Sequence, residues 1–256
     1  MLYKFFVCFI AGIGAGLGTG FAGLSAAVVI SPLLIGLLDV PAYEAIAIAL
    51  ASDVMASAVS AYTYGKNKNL DVKNGLAMMV TTLIMTMVGS YIGNLVPNHA
   101  MGGFSICMPI LLGIKFIIKP VMTTKETMAA ADAKTKLKKS VLFGILIGFI
   151  CGFVGAGGGM MLLLALTTVL GYELKTAIGT SVFIMAFTAF TGAVSHIVIG
   201  GMPDLWCLVF CIASTLLWAR IAAVIANKAS AKKLNRITGV VLLLLGIIML
   251  GDKVMG

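Results

Sequence analysis

The stretch FFVCFIAGIGAGLGTGFAGLSAAVVISPLLIGLL, residues 5–38, decides the fold. It runs 34 residues without a charge. As one helix rising ~1.5 Å per residue it would reach roughly 50 Å, against about 30 Å for the hydrocarbon core of a bilayer. Gly12, Gly14, Gly16, Gly18, Gly20 and Gly23 crowd its middle, so it reads as a broken pair of short helices. Residues 140–172 repeat the pattern with Gly144, Gly148, Gly152, Gly155, Gly157, Gly158 and Gly159. At a spacing of 134, Gly14 falls on Gly148, Gly18 on Gly152, Gly23 on Gly157 and Asp39 on Glu173. Two over-long, glycine-broken apolar segments are the mark of a membrane transporter built from an internal repeat.

The composition agrees. The chain is 61% hydrophobic and 11% charged, where a soluble domain carries about 25% charged residues. Its net charge of +9 comes from lysines in short loops between apolar runs, where they orient a membrane protein, and a nucleic-acid partner is excluded. The N-terminus has the charge and apolar run of a signal peptide, but cleavage near Gly16 would destroy a segment whose counterpart is intact, so it is expected to stay. Cys8, Cys107, Cys151, Cys207 and Cys211 all lie in apolar segments and read as small packing residues. No triad order, metal-ligand spacing or phosphate loop appears, so no enzyme and no cofactor is expected.

Further spans are expected near 43–64, 75–96, 101–118, 176–199, 205–226 and 234–251. This divides the chain into a first membrane repeat (1–119), a cytoplasmic linker (120–139) and a second membrane repeat (140–256). Lys66, Lys68 and Lys73, the linker, and Lys228, Lys232, Lys233 and Arg236 should face the cytoplasm by the positive-inside rule. The loops near 97–103 and 200–204 should face outward, and Lys4 is the misfit on that side. Working along the spans, 140–172 must enter and leave on the inside, as a hairpin, and 5–38 on the outside. The expected fold is therefore an all-α polytopic membrane protein of two homologous halves in inverted repeat. Each half is a broken helical hairpin plus three transmembrane helices. A kinked single helix in place of each hairpin is the alternative.

The hairpin tips, Gly18–Ser25 and Gly152–Gly159, are the first candidates for chemistry. Turn backbone at membrane depth lines protein or an aqueous cavity, and a helix N-terminus there offers N–H groups and a positive dipole end to an anion. This points to Gly20, Gly23, Ser25, Gly155, Gly157, Gly158 and Gly159 as substrate-binding, against the competing reading that small residues merely let helices pack. Gly144, at the far end of its segment, is expected to serve packing alone, with Gly144→Ala mild. Hydroxyls at Ser57, and at Ser181, Thr188, Thr191 and Ser195 on one helix face, would line the site or glue helices together. Asp53 lies ten residues inside its span, where a carboxylate is expensive and usually functional; it is the candidate for ion coupling. Arg220 either attracts substrate or snorkels to the interface. His196 reads as interfacial.

With those residues in view, GFICGFVGAGGGMMLLLAL (148–166), AIGTSVFIMAFTAFTGAVSHIVIGG (177–201) and their weaker first-half copies make the chain resemble the sulfite exporter TauE/SafE family. The resemblance covers nearly the whole chain and implies a polytopic transporter of two related halves that moves sulfite or other small sulfur oxyanions and organosulfonates. The first half departs from the family pattern: Ala22–Leu24 stands for the glycine run 157–159, and AIAIALASD (45–53) for AIGTS. The expected function is a multi-pass secondary transporter of the cell (inner) membrane, an exporter of a small anion by alternating access. The alternatives are an anion channel and a sulfur-handling accessory protein using Cys207 and Cys211. The expected partners are the anionic substrate and the lipid bilayer, with a homodimer allowed.

Overall fold

A computed structural model describes residues 1–93, 102–129, 133–154 and 158–255. The described residues form α-helices and no strand: α1 Leu2–Ala22, α2 Ala27–Leu38, α3 Ala42–Lys66, α4 Val72–Gly93, α5 Gly102–Ile118, α6 Lys125–Ala129, α7 Ala133–Val154, α8 Gly158–Thr168, α9 Leu174–Gly200, α10 Leu205–Lys228 and α11 Ala231–Met255. Five of them are long and apolar enough to cross a membrane. The outward faces carry Ile84, Met87, Leu142, Phe190 and Val198, each more than half exposed. So much bare apolar surface belongs against lipid. The chain is an all-helical, multi-pass membrane protein.

The glycine-rich segments differ from two short helices apiece. α1 has 21 residues, about 32 Å, a full span; α2 has 12, about 18 Å, and covers half of one. α7 and α8 repeat this with 22 and 11 residues. The reason is that most of the glycines do not bend the chain. Gly12, Gly16 and Gly20 stand four apart on one face of α1, and α10 lies directly on them. A Cβ on Gly16 would sit 2.7 Å from Thr215 O and from Ala219 N, and one on Gly20 would sit 2.7 Å from Ala219 O. Such backbone-to-backbone approach is what small residues permit between membrane helices. Ser214 crosses the same seam to donate to Phe9 O at 3.0 Å. α7 meets α4 in the same way: a Cβ on Gly144 would sit 2.8 Å from Met78 O, one on Gly148 2.8 Å from Thr82 Cα, and Thr82 Oγ1 donates to Gly144 O at 3.3 Å. Gly144 is therefore a packing residue, but without room for a methyl, so Gly144→Ala overpacks the seam and is not mild.

Side-chain contacts identify which ends lie together. At the lysine-poor end Lys4 Nζ pairs with Asp204 Oδ2 at 2.7 Å, and Asp204 N donates to Glu44 Oε1 at 2.6 Å. The starts of α1, α3 and α10 thus share that end. At the lysine-rich end Asn69 Nδ2 donates to Asn227 Oδ1 at 2.6 Å, Tyr172 OH to Asp71 Oδ2 at 2.6 Å, Lys175 Nζ to Asn227 O at 2.8 Å and Lys139 Nζ to Val169 O at 3.4 Å. The chain from α1 into α2 thus returns to the end it left, because α3 starts there. The chain from α7 into α8 does so at the opposite end. A kinked single helix would have done neither.

The local motifs recur at a spacing of 132 rather than 134. Val40 N donates to Leu34 O at 3.2 Å, and Tyr172 N to Leu166 O at 2.8 Å. Asp39 (φ 52) and Gly171 (φ 66) take the same left-handed cap, and α3 and α9 begin at Ala42 and Leu174. Asp39 thus matches Gly171, not Glu173; Asp53 matches Met185; and the packing glycines Gly12 and Gly16 match Gly144 and Gly148. The α1–α10 and α4–α7 contacts are the closest-packed, with α3 on α9 and α5 on α11 completing the bundle.

Candidate functional site

The break after α1 lies inside the bundle, and the carbonyls of residues 18–21 at the end of α1 are all accounted for. Gly23, left-handed at φ 62, donates its N–H to Thr19 O at 2.9 Å, and Leu24 N donates to Gly18 O at 3.1 Å. Tyr64 OH reaches Gly20 O at 2.8 Å, and Thr238 Oγ1 reaches Phe21 O at 2.8 Å. Thr19 Oγ1 closes Leu24 O at 2.8 Å. Orphan carbonyls at a helix end inside a membrane protein demand such partners. Gly20 is accordingly a packing residue within α1, and the N–H of Gly23 is spent on its own helix.

The facing end, the N-terminus of α2, is closed by Asp53. This side chain, 1% exposed, stands on α3. Ser25 Oγ donates to its Oδ2 at 2.5 Å, Ser57 Oγ to its Oδ1 at 2.9 Å, and the Ala26 N–H is directed at the same carboxylate. A carboxylate at the positive end of a half-helix, with hydroxyl and amide donors, is the arrangement an anion takes there. No described cation pairs with Asp53. Two turns on from Asp53, Ser60 is fully buried with no hydrogen-bond partner among the described residues.

The start of α8 meets the break after α1. Gly155 and Gly157 lie outside the described residues. Gly158 opens α8, and Gly159 is buried against Gly23 O and the Met185 sulfur so closely that a Cβ would overlap both. Ser181 Oγ lies equally close to Gly23 while donating to Ile178 O at 2.9 Å. Where the first half sets Asp53, the second sets the thioether of Met185. No side-chain hydrogen bond from a described residue reaches the first turn of α8, whose N–H groups lack helical partners by construction.

The structure thus gathers Gly23, Ser25, Asp53, Ser57, Gly159 and Ser181 around one locus, with Gly158 at its edge. It leaves others apart. Thr188 and Thr191 hydroxyls bond back to Met185 O and Phe187 O, both at 3.1 Å, and Thr191 and Ser195 are exposed on α9. Arg220 is exposed on α10. Cys8, Cys207 and Cys211 are free and buried, and no group among the described residues could hold a metal ion. Thr19, Tyr64, Thr238 and Met185 were not singled out from the sequence. Tyr64 and Thr238 cap carbonyls far away in the chain, and nothing local signals that.

The family profile described as "Sulfite exporter TauE/SafE" matches residues 8–249. The chain belongs to the TauE/SafE family. It is 27% identical to the "Probable membrane transporter protein YunE" of Bacillus subtilis, over 95% of this chain and 96% of that one. It is 30% identical to a "Probable membrane transporter protein" of Haemophilus influenzae, over 76% and 74%. It is 22% identical to the "Probable membrane transporter protein YdhB" of Bacillus subtilis, over 83% and 86%. No solved structure matches significantly. The TauE/SafE chain is a transporter of the cell membrane and not an enzyme.

Proposed function

We propose that the chain is a secondary transporter of a small anion, sulfite or another sulfur oxyanion or organosulfonate, working by alternating access between two inverted halves. The observation that carries this reading is the meeting of two half-helix N-terminal regions inside the bundle, one closed by a built-in carboxylate and the other without one. The anion binds at the α8 tip, with Gly158 and Ser181 around it. Asp53 holds the α2 tip and is the coupling group, gaining or losing a cation as the halves move. The family name favours a sulfur oxyanion, and a tip without lysine or arginine favours a ligand that must be released.

The halves run 1–119 and 140–256. A two-fold relation is supported by the packing: α1 on α10 is the counterpart of α7 on α4, while α3 on α9 and α5 on α11 are each their own counterpart; its inversion is supported by the return of α1–α2 and α7–α8 to opposite ends. The lysine-rich end faces the cytoplasm. Lys4, the misfit at the other end, has its charge met by Asp204. Proteoliposomes loaded with sulfite, thiosulfate, sulfate or taurine-like sulfonates test the reading. Saturable, counter-flow-competent exchange of one of them is expected. Non-saturable flux would make the protein a channel, and no flux of any sulfur anion would end the substrate assignment.

A further inference from the structure

We propose that a groove between α3 and α9 is a binding site for one anionic phospholipid, its headgroup on Lys66 and an acyl chain along the helices. The groove has a volume of about 640 Å³ and is lined by Ala58, Ala61, Tyr62, Lys66, Phe183 and Phe187, among others. That falls within the roughly 300–1,000 Å³ of small-ligand sites. It lies apart from the Asp53 locus: Asp53, Ser57 and Ser60 are buried, while Ala58 and Tyr62 on the neighbouring face of α3 are exposed.

Its two ends differ chemically. From Ala58 to Lys66 the groove follows α3 for about 12 Å, and the lining along that length is apolar. Small side chains at Ala58, Ala61 and Gly65 leave the space, and the rings of Phe183 and Phe187, 5.4 Å apart, form the α9 wall. At the mouth stands Lys66, the last residue of α3. It is exposed and makes no ion pair or hydrogen bond with a described residue. Tyr62, 71% exposed, stands one turn deeper, where an amphipathic ring lies at the boundary of headgroup and chain. An apolar slot ending in an uncompensated cation matches a phosphodiester headgroup without a cation of its own. A choline or ethanolamine headgroup would bring a second positive charge to the same mouth. A two-fold dimer sealed across the groove would bring two Lys66 side chains together. The lysine-rich end is also where anionic lipids concentrate if it faces the cytoplasm.

The test is thermal unfolding of the purified full-length protein in detergent with added phosphatidylglycerol or phosphatidylcholine at equal concentration. Phosphatidylglycerol is expected to raise the midpoint on the order of 5 °C more than phosphatidylcholine. Lys66→Gln should remove that difference, Lys66→Arg should keep it, and Ala58→Phe, which fills the slot from an exposed position, should abolish it while the lipid-free midpoint holds. Equal shifts by the two lipids, or a difference that survives both Lys66→Gln and Ala58→Phe, would overturn the proposal. So would efficient cross-linking of two copies through Ala58→Cys, which would give the groove to a dimer.

Discussion

The α2 tip and the α8 tip have the same backbone role and opposite chemical states. Each begins a half-length helix, and the two lie together where the halves of the bundle meet. At the α2 tip the protein supplies its own anion: Asp53 takes hydrogen bonds from Ser25 and Ser57 at 2.5 and 2.9 Å. At the α8 tip the corresponding space holds Met185, and no described side chain hydrogen-bonds to the first turn. One tip is closed by the fold itself, and the other is where the proposed reading puts the ligand. On the proposed reading, a duplicated element keeps one copy for coupling and one for substrate, with the difference made by a single side chain at the matching position.

The contact between the tips gives the largest expected effect. Gly159→Val would force a branched side chain into Gly23 O and the Met185 sulfur; the methionine can shift, but the Gly23 carbonyl is backbone and cannot. Transport should be abolished and the yield of folded protein should fall, as read by flux and by size-exclusion profile. A well-folded, active Gly159→Val protein would mean that the tips do not touch.

Asp53→Ala comes next. It leaves buried donors on Ser25, Ser57 and Ala26 without an acceptor, at ~1–3 kcal/mol each. Chemical unfolding should show a loss of at least about 2 kcal/mol, whereas the matching Met185→Ala, a cavity change, should leave substrate affinity more affected than hydrogen bonding. Asp53→Asn should insert and fold, and should change the pH or Na⁺ dependence of flux. Unchanged flux, ion dependence and stability in Asp53→Asn would remove its coupling role.

The packing glycines sharpen the register of the comparison. Gly12→Ala and Gly144→Ala, matched at 132, should each cost about 1–3 kcal/mol by overpacking. Similar losses in both are expected from thermal melts. A loss in only one would show that the two seams are not equivalent.

The ends of the bundle give the smallest effect. The Lys4 ammonium, then the Cys207 and Trp206 N–H groups, hold the Asp204 carboxyl below the usual carboxylate range. A depressed carboxyl stabilises the fold above its unfolded value, near ~3.9, and loses that contribution as pH falls through the lower folded value. Acid should therefore loosen the α1–α10 end below about pH 4. Asp204→Asn should flatten this acid limb in a melt-versus-pH series, by a small amount because both partners reach water.

Much of the fold was legible in the sequence because bilayer thickness constrains helix length so tightly. Four of the six later spans, α3, α4, α9 and α10, begin within a few residues of where they were expected. The glycines misled in one respect. Gly12, Gly16 and Gly20 suggested a broken helix, but glycine serves close packing as readily as turning, and only the partner helix distinguishes the two. The register slipped by two residues because glycine and alanine runs align almost equally well at 132 and 134; the cap at Asp39 and Gly171 settles it in space. Within the site, Asp53 was conspicuous as a lone carboxylate at membrane depth. Its partner Ser25 and the carbonyl caps from Tyr64 and Thr238 were set by tertiary approach. Arg220 and Thr191 had suitable chemistry, but they lie on outward faces, which helix periodicity alone does not assign when both sides of a helix are apolar.

The division of labour between the tips is tested most directly by the affinity of purified protein for sulfite in two variants. Gly158 is half-buried at the start of α8, so Gly158→Ala adds one methyl where the anion would approach and asks for no unusual backbone. The account predicts that Gly158→Ala weakens sulfite binding ~10-fold or more, about the loss of one good hydrogen bond. It predicts that Asp53→Asn leaves affinity within roughly 3-fold at its optimal pH, below the ~10-fold that such a bond is worth, while shifting the pH or Na⁺ dependence. Undiminished binding in Gly158→Ala together with loss of binding in Asp53→Asn would contradict it and place the anion at the α2 tip.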